Sequence, residues 1–325
     1  MLHAGDEDTC LDILVSLVCY NNKLLTISIP ELLHCEVYSQ GILFKDASAE
    51  IREQLLRQLE TDRDNRNYLL LALSWIGDDQ VVRRFREWRE NPPKWTEELY
   101  VAPEQYAYEA GWELTEGGQR RDLFYQWNYA VEKIETGGKS APVTRPASFL
   151  TESEQICQWC GGKLTNLIEI EAGRPSIWRL PIIGERLQVQ TCIICSCYGP
   201  VYMELGIGLE PKWSAYNQTP DYLPDTDSDE ERTEYLTAGT NFSVSAKPRN
   251  TYHAAQWTLE PKASQIGGYP TWIQDAEYPV SPCCSQSMYF IGQLDWEEVE
   301  AYGEGIYYMF ICPDGKVTAT LFQQS

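Results

Sequence analysis

Two pairs of cysteines constrain this chain more than any other feature: Cys157 and Cys160 in "ICQWCGGKLTN", and Cys192 and Cys195 in "TCIICSCYG". Thiols at C-x-x-C spacing form a redox pair, half of a metal site, or two packed small side chains. A redox pair needs one C-x-x-C opening a helix, where the helix end lowers a thiol pKa. Neither pair is followed by a helical pattern, and each borders a run rich in β-branched residues. Two such pairs separated by strand-forming sequence have the form of a zinc ribbon, in which four thiolates surround one Zn2+ tetrahedrally. Gly161 and Gly162 suit the sharp turn behind the second ligand. The loop between the pairs exceeds the usual spacing of about 15–20 residues. Cys197 offers a C-x-C alternative to Cys195, and the Cys192/Cys195 pair is favoured. With every position filled by protein sulfur no site remains for substrate, so this zinc is expected to be structural.

The other thiols point to packing. Cys283 and Cys284 are adjacent, so an extended chain sends them in opposite directions and at most one joins Cys312.

A chain of 325 residues is longer than most single domains. Its first part carries helical signals. "SAEIREQLLRQLE" sets Ile51, Leu55 and Leu59 on one face with Ser48 or Asp46 as N-cap, and "NRNYLLLALSWIG" is apolar nearly all round and stops at Gly77. "DDQVVRRFREWREN" restarts with Asp79 as the expected cap, aligns Val81, Phe85 and Trp88, and ends at Pro92-Pro93. A buried helix joined tightly to an amphipathic one is the unit of HEAT-type solenoids. From residue 157 the pattern becomes β, with "IYYMFI" apolar on both faces as a central strand. The expectation is an α+β chain: a HEAT-like helical domain over 1–136, a Gly/Pro/Ser linker over 137–150, and a mainly antiparallel β domain over 151–325. The last contains the ribbon (157–197) and a solvated acidic loop (219–238).

The net charge of -22 opposes binding to nucleic acid or anionic lipid, because both reward cationic side chains. No run of about 18 apolar residues suggests a membrane span. The apolar stretch from Leu11 follows an acidic "GDED" where a secretory signal carries positive charge. Eleven cysteines in a chain of this kind fit metal ligation or burial in a reducing cytoplasm better than disulfides.

Toward the C-terminus, "SQIGGYPTWIQDAEYP" (264–279), "CSQSMYFIGQLD" (284–295) and "YGEGIYYMFICPDGKVTATLFQQ" (302–324) follow one another in an order that resembles the bacterial YwqG-like family of unknown function. The upstream ribbon is similar to that of longer members with a HEAT-like N-terminal part. The resemblance implies a compact β domain, a distant likeness to programmed cell death protein 2, and no established enzymatic activity. The family's further C-P-x-C pattern is broken here. Ser281 and Gly315 stand where it has cysteines, leaving Cys284 and Cys312, so the resemblance implies no second zinc.

No nucleophile elbow, P-loop, dinucleotide motif or H-E-x-x-H is present, and three histidines leave few general bases. Carboxylates are abundant, which keeps a carboxylate-dependent enzyme as the alternative. The favoured expectation is a non-catalytic interaction module, an immunity or regulatory protein for a basic protein partner. "GGYPTWIQDAEYP" supplies Tyr269, Trp272 and Tyr278 beside Asp275 and Glu277, aromatic anchors with an acidic rim.

Overall fold

The computed structural model describes residues 4–21, 28–134, 147–171, 186–206, 210–223, 242–255, 263–300 and 303–324. Linker positions 137–146 and acidic-loop positions 224–238 lie outside them. The described residues form α-helices and three antiparallel sheets, an α+β chain.

One compact unit holds residues 1–123 together with 275–277. It contains α1 (Ala4–Tyr20), α2 (Ile29–His34), α3 (Ala49–Thr61), α4 (Arg66–Ile76) and α5 (Asp79–Glu90), then a 3-10 turn at Pro103–Ala110 and a hairpin of β1 (Trp112–Leu114) and β2 (Arg120–Asp122). Ser48 caps α3 by accepting the Ile51 N–H, and Ile51, Leu55 and Leu59 are buried. α4 ends at Gly77, whose φ of 51° lies in the left-handed region. Asp78, and not Asp79, caps α5: its carboxylate accepts from Gln80 and Val81 N–H, and its other oxygen meets Arg52. The reason is geometric, since Asp78 is extended while Asp79 is already in the first helical turn. Phe85, on the apolar face of α5, stacks against Trp112, whose indole N–H donates to Ser74 O at 2.8 Å.

The second unit begins at Phe124, so the division falls ahead of the expected 137–150 linker. The strand that follows, β3 (Tyr125–Lys133), belongs to the large sheet, and β4 (Ala147–Ile156) starts inside the expected linker. β5 (Lys163–Glu171) and β6 (Arg186–Thr191) complete a three-stranded sheet in the order β4-β5-β6. The remaining strands are β7 (Val201–Leu205), β8 (Pro211–Trp213), β9 (Phe242–Val244), β10 (Gln265–Gly268), β11 (Tyr289–Asp295), β12 (Ile306–Ile311) and β13 (Val317–Gln323), with a short α6 (Trp296–Val299) after β11. With β3 they make an eight-stranded sheet in the order β8-β7-β13-β12-β11-β10-β3-β9.

Every residue of β12 is buried, as its two-sided apolar sequence requires. Tyr307, Met309 and Ile311 join Phe149, Leu167, Ile168, Leu187 and Val189 of the small sheet in one core. Alternate residues serve the opposite face, where Tyr308 stacks on Trp272 at 4.7 Å and Phe310 meets Phe290 and Tyr278. The small sheet therefore lies on one face of the large one, and this layering carries the cysteine turns at its end.

Removing the α5 cap tests the helical reading. Asp78→Ala should lower stability in urea unfolding by about 1–2 kcal/mol, and Asp79→Ala by no more than about 0.5 kcal/mol; equal effects would contradict the assignment.

Candidate metal centre

The first C-x-x-C pair occupies the turn between β4 and β5, and the second follows β6 directly. Antiparallel pairing sets the two turns at the same end of the small sheet: Ile156 pairs with Lys163, and Thr165 pairs with Thr191. Each turn closes with the same hydrogen bond. Gly161 N–H donates to Cys157 O at 2.9 Å, and Ser196 N–H donates to Cys192 O at 3.0 Å. Gly161 has φ +73° with open space where a Cβ would stand, so backbone conformation alone asks for glycine there.

The result is one cluster. The Sγ atoms of Cys157, Cys160, Cys192 and Cys195 all lie within 4.8 Å of one another. Cys157 and Cys195 are 3.8 Å apart, and Cys160 and Cys192 are 3.5 Å apart. Four sulfurs placed about 2.3 Å from a shared tetrahedral ion are about 3.8 Å from each other. This spacing is far longer than a disulfide of about 2.05 Å. Cys157, Cys192 and Cys195 are buried and Cys160 is partly so. The cluster is able to hold a metal ion, and its donors are soft sulfur throughout.

Electrostatics point the same way. Hydrogen bonding with Cys192 and then with Cys195 holds the Cys157 thiol far below the ordinary range. The bond to Cys157 pushes Cys192 up to about 12, and the bonds to Cys157 and Cys192 push Cys195 up as well. Thiols in such contact cannot all ionise without a cation, because neighbouring thiolates repel one another. A divalent ion removes that conflict by neutralising several thiolates together.

Contacts that no spacing rule reveals fix the cluster in the unit. Leu164, Val201 and Met203 pack against the buried thiols. Trp159, between the first two cysteines, meets Trp213 of β8 edge-on at 5.1 Å. Behind the second turn, Tyr307 OH donates to Ile193 O at 2.8 Å, and Thr320 and Thr191 hydroxyls bond at 2.6 Å. These residues are long-range partners, and their signal in sequence is only their apolar or β-branched character. Cys197 is exposed and donates its thiol to Ile193 O, outside the group of four.

The aromatic residues of 269–278 are placed differently from expectation. Tyr269 is buried against Phe124 and Tyr252, Tyr278 is buried, and Trp272 lies between Tyr278 and Tyr308. These rings pack within the chain, Tyr269 and Tyr278 buried and Trp272 partly so. Asp275 and Glu277 are exposed and belong with the first compact unit.

No protein-family model matches the chain, and no solved structure matches it. The chain is similar to a bacterial protein of uncharacterized function. That relative is "Uncharacterized protein YpfL" of Salmonella typhimurium strain LT2, 36% identical over 294 residues. The match takes in 88% of this chain and 65% of that protein's length. Among the described residues no helix is long and apolar enough to cross a membrane.

Alkylation of the native, reduced chain tests the burial of the cluster. Mass spectrometry should find Cys10, Cys35, Cys197 and Cys283 modified first and Cys157, Cys192 and Cys195 last; early labelling of Cys195 would contradict this packing.

Proposed function

We propose that the chain is a zinc protein whose ion, held by Cys157, Cys160, Cys192 and Cys195, is structural, and that it works as a non-catalytic interaction module for a basic protein. The observation that carries the first half is the closed set of four sulfurs at tetrahedral spacing. Zinc filled by four protein thiolates has no open position for water or substrate, and a site of this kind contributes on the order of 10 kcal/mol or more to folding. The ribbon then holds two turns of the small sheet against the large one.

The second half rests on charge. A net charge of -22 steers a cationic partner toward the surface and disfavours nucleic acid and anionic lipid. Eleven free cysteines are in keeping with a reducing cytoplasm. An immunity or regulatory role, in which the chain neutralises a basic protein, follows from this charge. The ordered C-terminal motifs support a YwqG-like β unit, and the α3–α5 helices support a HEAT-like reading of the first unit.

The alternative is a carboxylate-dependent enzyme, favoured by one observation: burial pushes the Asp295 carboxyl up to about 6. Burial also raises Glu298 and Glu109. Each of these acids is already engaged by backbone. Asp295 accepts from Glu297 N–H as the cap of α6, Glu298 accepts from Ala263 and Ser264 N–H, and Glu109 accepts from Ala276 N–H. Such bonds are what a fold asks of a buried acid, so the interaction reading is preferred.

Elemental analysis of the purified, reduced chain should find zinc, and Cys160→Ser should lower metal content and solubility together. Unchanged metal content in that variant would overturn the ligand assignment. Affinity capture at low and moderate salt tests the partner: a basic protein retained at low salt and released at moderate salt is the expected outcome, and recovery of no salt-sensitive protein contradicts it.

A further inference from the structure

The edge of the second unit beside the cysteine turns is apolar and open. β8 is the last strand of the large sheet, and Trp213 at its end meets Trp159 of the first cysteine turn at 5.1 Å, with the two rings at 87°. Both rings pack against the thiol cluster and remain partly exposed. Rings set at right angles leave two faces that meet in a corner. Leu223 packs against the same cluster, which brings the stretch 221–223 to this edge. Tyr222 within it is 82% exposed. Three rings and a leucine gathered here make a patch, unlike the single exposed side chains common on any surface.

The charge around the patch is negative. Asp221 precedes Tyr222, Glu210 precedes β8, and both are exposed. Lys212, the one base of β8, pairs with Glu204 and so faces away from Trp213, which pairs with Met203. Beyond Leu223 the sequence runs into "PDTDSDEERTE", with six acids and one arginine. Charge of that density, joined to the patch by the peptide chain, draws cations toward it.

Aromatic faces and carboxylates together select one side chain. The arginine guanidinium is flat, stacks on ring faces and forms paired hydrogen bonds with a carboxylate, while the lysine ammonium is a compact and more strongly hydrated charge. We propose that the edge formed by Trp159, Trp213 and Tyr222, with Asp221 beside it, is the surface that takes an extended, arginine-bearing segment of a basic protein. The inference rests on the reading of the chain as an interaction module, and it sets the aromatic anchors at the ribbon edge in place of 269–278.

Fluorescence anisotropy with a labelled Gly-Arg repeat peptide and the purified, reduced full chain tests this, with Gly-Lys and Gly-Glu repeats of the same length as comparisons. At low salt the arginine peptide should bind more tightly than the lysine peptide, and the glutamate peptide should not bind. Tyr222→Ala should weaken binding about two- to fivefold, the size of one exposed cation–π contact, and Asp221→Asn should reduce its salt dependence. Tyr100→Ala, at a ring 96% exposed in the first unit, should change nothing. In fluorine NMR of the fluorotryptophan-labelled chain, the arginine peptide should shift the two signals that Trp159→Phe and Trp213→Phe identify. Binding that leaves both signals and the Tyr222→Ala affinity unchanged overturns this surface and leaves the interaction reading standing, whereas failure of both basic peptides to bind overturns the two together. Equal affinity for the lysine peptide contradicts the selection of arginine. A parent chain that sediments as a dimer, with Tyr222→Ala as a monomer, places a second copy on the patch and overturns the proposal as well.

Discussion

Four sulfurs at contact distance, three of them buried, set the terms for the rest of this molecule. Thiols this close cannot all ionise without a cation, because neighbouring thiolates repel one another. A soft divalent ion held by all four, as proposed, would relieve that crowding, and its consequence would be mechanical. The turn after β4 and the turn after β6 would become one object. The small sheet would thereby be closed at one end, with its apolar face packed on the large sheet.

Strand β12 shows how that register is used. Its tyrosines, phenylalanine and methionine alternate between two covered faces, one shared with the small sheet and one with Trp272, Tyr278 and Phe290. Tyr307 connects the two ideas: its ring is part of the shared core and its hydroxyl bonds the carbonyl of Ile193 inside the second cysteine turn. A change at the metal centre is therefore felt in the core. For the same reason Tyr269, Trp272 and Tyr278 are committed to the chain's own packing.

How much of this was legible depended on the range of the interaction concerned. The four ribbon cysteines and the buried positions of α3 and α5 were readable, because ligand spacing and helical period are local. β5, β6, β7, β11, β12 and β13 were readable from their apolar and β-branched runs. β4 was not: its sequence "ASFLTESEQI" is largely polar, and only pairing with β5 makes it a strand. β3 was hidden because Asn128 sits in its middle, and the structure buries that side chain in bonds with Gln265 and Arg249, far away in sequence. The cap of α5 was misplaced by one residue because Asp78 and Asp79 are chemically identical and differ only in backbone.

The central claim is that four protein sulfurs grip one ion in the ribbon. X-ray absorption at the zinc edge, on the purified, reduced chain, addresses it most directly. The account predicts a shell of sulfur alone, four atoms at about 2.3 Å. A folded chain that holds no zinc, or zinc surrounded by oxygen and nitrogen, would contradict it.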